Sequence, residues 1–196
     1  MYIAIEGNIG AGKTSLVHKL CDRVNAIPLL EEFAENSFLP KFYEDPEKFA
    51  FPLELSFLAA RYKQMTSCFD NHHGKIIISD YLIHKCKLFA SVNLTEVELE
   101  LFDSLFSIMA DKLPVPDKLI YLDSDTDRLS KNISIRGRSY EKAIAPKYLD
   151  QLSHAYKHFL KSETGINTLI INTSQIDFVH SETDFESLAS LILGNN

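Results

Sequence analysis

Apolar residues recur along the chain in two rhythms. Short, nearly unbroken runs at Tyr2–Ile5, Ile27–Leu30, Lys75–Ile78, Lys118–Leu122 and Thr168–Ile171 predict strands. Their continuity, rather than alternation, points to a parallel sheet covered on both faces. Between them the apolar positions fall at helical spacing. Thr14–Val24 sets Leu16, Val17 and Leu20 on one face, and Pro46–Phe69 does the same with Phe51, Leu55, Leu58 and Tyr62. Thr95 opens a further helix: Thr95-x-x-Glu98 reads as a capping box ahead of Leu99, Leu101, Phe102, Leu105, Phe106 and Met109. Asp125–Ile133, Pro146–Lys161 and Asp184–Leu193 complete the helical set. Strands alternating with helices predict an open three-layer α/β fold with a five-stranded parallel sheet, binding ligands at the carboxyl ends of its strands. No repeat, low-complexity stretch or Gly/Ser linker interrupts the chain, so residues 1–196 read as a single domain.

Composition narrows the function. With 196 residues, 45% hydrophobic and 24% charged, the chain has the profile of a soluble globular protein with a real core. A net charge of −7 argues against sequence-independent nucleic-acid binding, which needs basic surface to displace counterions. Any phosphate recognition is then local. Cys21, Cys68 and Cys86 show no C-x-x-C spacing and read as reduced thiols of a cytoplasmic protein. No apolar run approaches the length of about 18 residues that a membrane span needs, and Met1 leads straight into a strand.

The sharpest local signal follows the first strand. Gly7-Asn8-Ile9-Gly10-Ala11-Gly12-Lys13-Thr14 fits G-x-x-x-x-G-K-[ST] in a strand–loop–helix setting. Glycines let successive N–H groups converge on one anion at a helix N-terminus. Lys13 then reaches the outer phosphates of a nucleoside triphosphate, ATP being the expected donor, and the Thr14 hydroxyl holds Mg²⁺. Further candidates sit where the other strands end. Glu31 and Glu32 follow the second strand, either as a proton acceptor for an attacking hydroxyl or as solvated loop glutamates. Asp80 follows the third, either as a second magnesium-holding group or as a helix N-cap. Ile135-Arg136-Gly137-Arg138-Ser139-Tyr140-Glu141 forms a cationic patch in an acidic chain, a lid over about 134–145 or a plain surface turn.

Taken together these stretches resemble the deoxynucleoside kinase family, in its bacterial deoxyadenosine/deoxyguanosine kinase-like form, over nearly the whole chain. The resemblance implies the P-loop nucleoside-kinase fold and ATP-dependent phosphorylation of a deoxynucleoside 5′-hydroxyl. It implies Glu31 as base, with Glu32 the rival because Glu31-Glu32-Phe33 lacks the family's proline. Tyr43 and Glu141 match residues that hold the sugar 3′-hydroxyl. Arg136 and Arg138 match lid arginines, and Asp177-Phe178 resembles the loop around the donor adenine. A homodimer is the family's usual state. Two departures follow. Glu54 stands where relatives read the base with Gln, seven residues before Arg61; a carboxylate only accepts hydrogen bonds, which favours purines over thymine. Ser79-Asp80-Tyr81 replaces a Glu-Arg-Ser motif and so lacks its arginine, while Asn132 stands where relatives often carry a lid arginine. A thymidylate-type nucleoside monophosphate kinase shares loop and lid and is the alternative; a nucleotide-binding protein without turnover is the third reading.

Overall fold

The computed structural model describes residues 1–32, 36–162 and 165–194, with residues 142 and 143 described by backbone alone. Five strands, β1 (Tyr2–Gly7), β2 (Ile27–Leu29), β3 (Ile77–Ser79), β4 (Lys118–Asp123) and β5 (Thr168–Asn172), form one sheet in the order β2-β3-β1-β4-β5. Every pairing is parallel. The helices are α1 (Lys13–Val24), α2 (Phe38–Glu44), α3 (Pro46–Asn71), α4 (Lys85–Asn93), α5 (Glu96–Ala110), α6 (Thr126–Arg136), α7 (Pro146–Ser162) and α8 (Glu182–Leu193).

Alternation along β1 divides the core. Ile3 and Ile5 pack with Leu16 and Leu20 of α1 and Leu188 and Ile192 of α8. Tyr2 and Ala4 face the other way, onto Leu58 and Met65 of α3, Cys86 of α4, and Phe102 and Phe106 of α5. Burial on both faces is why the strands read as unbroken apolar runs. The chain steps from β1 out to β2, returns through β3, and only then crosses to β4. The loops leaving β1 and β3 therefore border a crevice at the reversal of strand order, where open α/β sheets bind ligands.

The five strands stand where the hydrophobic runs placed them, with ends moved by one or two residues. Two helices escaped the sequence pattern. In α2, Pro40 lies in the first turn, where backbone N–H groups have no intrahelical partner to lose. In α4, Lys85 and Lys87 obscured a short run that buries Cys86, Leu88 and Ala90. The face assigned to α3 also needs correction. Its innermost residues are Ala50, Leu53, Glu54, Leu58, Arg61 and Met65, whereas Phe51, Leu55 and Tyr62 are half-buried. The Thr95–Glu98 capping box is formed in full.

Candidate active site

The phosphate loop Gly7–Thr14 leaves β1 and enters α1. Gly10 and Gly12 sit in the left-handed region at φ +85° and +86°. A Cβ on Gly10 would stand 2.8 Å from the Leu129 carbonyl oxygen, and one on Gly12 2.8 Å from the Phe178 ring. Both positions thus require glycine for conformation and for space. Asn8, buried, donates from Nδ2 to the Leu149 carbonyl (2.7 Å) and to Ser153 Oγ (2.8 Å), while its Oδ1 accepts from the Ile9 N–H (2.7 Å). Asn132 braces the opposite side, donating to the Gly10 carbonyl at 2.8 Å. Where the resemblance marked only a missing arginine, the fold uses a strut.

Lys13 Nζ donates to the Gly7 and Asn8 carbonyls at 2.8 and 2.9 Å. Burial, and then the neighbouring Lys85, lower the Lys13 ammonium to about 8, against the pull of Glu6, Glu31 and Asp80. Thr14 Oγ1 donates to Asp80 Oδ2 at 2.6 Å, and Asp80 Oδ1 accepts the Glu31 N–H at 2.8 Å. Hydroxyl and carboxylate oxygens side by side suit Mg²⁺, which keeps waters and substrate phosphates among its ligands. Among the described residues no group of three or more His, Cys, Asp or Glu side chains forms a metal cage.

From this loop a cavity of about 780 Å³, open mouth included, extends toward α3 and α4. Glu54, Phe57 and Arg61 face it from α3 at i, i+3, i+7; Lys85, Phe89 and Asn93 face it from α4 at i, i+4, i+8. Glu31 lies between them. Arg61 donates from Nε (2.9 Å) and Nη2 to Glu31 Oε1, and Lys85 Nζ donates to Oε2 at 2.6 Å. Burial pushes the Glu31 carboxyl up, but Arg61 and then Lys85 outweigh it and hold the group well below the usual carboxylate range. Arg61 also donates from Nη1 to Cys86 Sγ at 2.8 Å and lies 4.8 Å from the Phe57 ring centre. Glu54 and Arg61, the pair expected to read the base, both line the cavity, with Arg61 bonded to Glu31. Glu32 is exposed and stands outside the cavity walls. Phe33 falls outside the described residues.

Glu54 is 1% exposed. Its Oε1 accepts from Asn93 Nδ2 at 2.7 Å, and Asn93 Oδ1 in turn accepts from the Tyr148 hydroxyl at 3.0 Å. Its Oε2 is buried with no partner among the described residues. Burial drives the Glu54 carboxyl up to about 7, opposed first by the Asn93 hydrogen bond and then by Arg61.

The cationic patch is more ordered than a surface turn. Helix α6 runs on to Arg136, Gly137 turns the chain at φ +69°, and a 3-10 helix spans Ser139–Ala143. Glu141, 5% exposed, accepts from Arg136 (Nε to Oε2 3.0 Å, Nη2 to Oε1 2.6 Å) and from Arg138 (Nη1 to Oε1 3.1 Å). The Tyr140 ring stacks against Tyr43, centroids 6.3 Å apart and planes 12° apart. Tyr43 and Glu141 thus share one wall. Phe178, by contrast, is buried behind Gly12, and the Asp177 N–H donates to Asp184 Oδ2 at 2.8 Å. Neither side chain lines the cavity that reaches α3 and α4.

Sequence reasoning did not single out Lys85, Asn93 and Phe89. Their four-residue spacing was legible, but α4 itself was not recognised. Tyr140 and Tyr148 were visible only as parts of the lid and of the helix after it.

A phosphate loop, a carboxylate clamped by cations and two arginines around one cavity suit a P-loop phosphotransferase. The deoxynucleoside kinase family model matches residues 3–195. A deoxyguanosine kinase of Bacillus subtilis (strain 168) is 36% identical over 196 residues, covering 96% of this chain and 94% of its own. A deoxyadenosine/deoxycytidine kinase of the same organism is 28% identical over 198 residues, covering 97% and 90%. The solved deoxyadenosine kinase from M. mycoides, with dCMP and a flexible dCDP bound as products, superposes with a TM-score of 0.87 at 25% identity over all of both chains. The chain belongs to the deoxynucleoside kinase family, enzymes that phosphorylate deoxynucleosides using ATP. This membership selects the deoxynucleoside kinase reading over the monophosphate kinase and over nucleotide binding without turnover. No helix among the described residues is long and apolar enough to cross a membrane.

Proposed function

We propose that this member transfers the γ-phosphoryl group of ATP to the 5′-hydroxyl of a purine deoxynucleoside, deoxyguanosine ahead of deoxyadenosine. The Gly7–Thr14 loop cradles the donor phosphates. Thr14 and Asp80 would hold Mg²⁺, which supplies charge neutralisation across the phosphates when bound. Tyr43 and Glu141 position the sugar through its 3′-hydroxyl. Glu31 takes the 5′-hydroxyl proton as the 5′-oxygen bonds to the γ-phosphorus and the bond to the β,γ-bridging oxygen breaks, releasing ADP. Arg136 and Arg138, paired with Glu141 in the free protein, turn toward the phosphoryl group and shield it from water.

The base preference rests on one observation: Glu54 lines the cavity, and its Oε2 is buried with no partner among the described residues. A buried carboxylate oxygen left without a donor costs free energy that a ligand N–H can recover. Guanine presents N1–H and N2–H₂ together, matching an ionised Glu54. Adenine presents a donor beside an acceptor, matching Glu54 when protonated. Thymine, with a single N–H between two carbonyls, matches neither well. The 36% identical deoxyguanosine kinase supports the same order.

With ATP and Mg²⁺, deoxyguanosine should show the highest kcat/KM of the four deoxynucleosides. Its advantage over deoxyadenosine should grow by up to about a hundredfold from pH 6 to pH 8, as Glu54 passes from mostly protonated to mostly ionised. Activity confined to thymidine or deoxycytidine would overturn the assignment. Glu54→Gln should flatten that pH response. It should also stabilise the free protein at pH 8 by up to about 3 kcal/mol. The sign follows from a carboxyl raised on folding: its penalty is full above about 7 and fades as pH falls to the unfolded value near 4.5. Thermal unfolding at pH 8 and pH 5 measures the difference.

The assembly is a homodimer in this reading, formed through α5. Val97, Leu101, Leu105 and Ile108 recur along one side of that helix and are 78%, 53%, 38% and 63% exposed, while Phe102 and Phe106 face the core. Such an apolar stripe is suited to a second copy of itself. Sedimentation should give a dimer for the wild type and a monomer for Leu101→Glu/Ile108→Glu; a monomeric wild type would refute the interface.

A further inference from the structure

Glu31 offers its two oxygens unequally. A carboxylate has about four lone-pair sites. Arg61 uses two on Oε1, through Nε and Nη2. Lys85 uses one on Oε2, at 2.6 Å. The site left for a hydroxyl is therefore on Oε2, the oxygen that the Lys85 ammonium already touches. A 5′-hydroxyl hydrogen-bonded there stands beside Nζ. Lys85 is 7% exposed, so the ammonium is held in place rather than free in solvent. Meanwhile the position after Asp80 holds Tyr81, fully buried, and no arginine reaches the site from there.

We infer that Lys85 is a catalytic residue, whose ammonium contacts the 5′-oxygen as it is phosphorylated and neutralises charge on the group in transfer. The inference rests on the proposal of Glu31 as the base. The proton passes from the 5′-oxygen to Glu31 Oε2. As that carboxylate loses its charge, Lys85 loses its ion-pair partner and turns to the phosphoryl oxygen arriving beside it. The cation is thus needed at Glu31 before transfer and at the phosphoryl group during it. Lysine suits this exchange because its ammonium is a compact charge on a flexible stem with donors that rotate.

Turnover, nucleoside KM, ATP affinity and the pH profile of kcat/KM should be compared for the wild type, Lys85→Met and Lys85→Arg. Lys85→Met is expected to lower kcat about 10²-fold, with ATP affinity nearly unchanged. Its acid limb should move to higher pH, because Glu31 then keeps Arg61 as cation while Glu54 and Asp80 still face it. Lys13 and Glu6 also border the site and feel the loss of the Lys85 charge. Lys85→Arg should restore the limb and part of the rate. A kcat for Lys85→Met within about threefold of wild type overturns the inference. So does a loss of rate matched by lost ATP affinity with the limb unmoved, the signature of a purely structural ion pair. Should Lys85→Met fail to fold, Lys85→Gln carries the same comparison. Glu31→Gln separates the two ideas. If it retains wild-type turnover, the base assignment falls and Lys85 with it; if it is inactive while Lys85→Met is not, only Lys85 falls.

Discussion

Glu31→Gln is expected to retain ATP binding and to turn over about 10³-fold more slowly than the wild type. The amide keeps the shape and one acceptor oxygen, so the 5′-hydroxyl still finds a partner, but not one that can take its proton. A second consequence separates this variant from a local defect. Arg61 and Lys85 lose the one carboxylate that both contact, and a buried pair broken on one side costs about 3–5 kcal/mol. The thermal midpoint should therefore fall, and kinetics belong well below it. The stability also changes with pH in a defined direction. A carboxyl lowered on folding stabilises above its unfolded value, near 4.5, and that contribution is lost as pH falls toward its folded value. Wild type should weaken on acidification more steeply than Glu31→Gln. Retained turnover would shift suspicion to Glu32, although Glu32 is exposed.

Lys13→Met should also be nearly inactive, about 10²–10³-fold down in turnover, and should bind ATP more weakly. The lysine's partners in the free protein are carbonyl oxygens of its own loop, which cannot satisfy its charge fully. A triphosphate can. Because the ammonium is lowered to about 8, ATP binding at that pH should take up protons, detectable by calorimetry in buffers of different ionisation enthalpy. ATP affinity should weaken as pH rises through 8 in the wild type and lose that dependence in Lys13→Met. Lys13 contributes a penalty where Glu31 contributes a gain, but both make the folded protein more stable as pH rises. An ammonium lowered on folding carries its penalty fully below about 8, and the penalty is relieved as pH approaches the unfolded value of 10.5. Lys13→Met should therefore raise the thermal midpoint at pH 7. A variant that is more stable and less active would mark Lys13 as a group held in place for its ligand.

The same contrast runs through the site. Asn8, Asn132 and the two left-handed glycines are fully accommodated by the fold, as parts that shape the loop. Lys13 and Glu54 are held at a cost that only a ligand relieves. Such conflicts between local stability and environment concentrate at functional sites.

What the sequence determined by itself was set by local chemistry. Continuous apolar runs specify buried parallel strands, because period and hydrophobicity are properties of a short segment. The glycine-rich loop specifies a phosphate cradle for the same reason: its residues are adjacent in the chain. Glu31 and Arg136 could be named from their places at a strand end and in the lid, and Glu54, Arg61 and Glu141 from the family resemblance. Which of them meet was decided by tertiary structure alone. Arg61 meets Glu31 because α3 passes the carboxyl end of β2 there, where Gln64 also donates to the Leu30 carbonyl, while Glu54 lies about two turns away along the helix. Lys85 and Asn93 came into view only once α4 packed against α3. Each closes a gap between segments far apart in sequence: Glu31 with Lys85, Glu54 with Asn93 and Tyr148. Periodicity carries no information about such partners, since it describes how a segment buries itself and not what lies across the cavity from it.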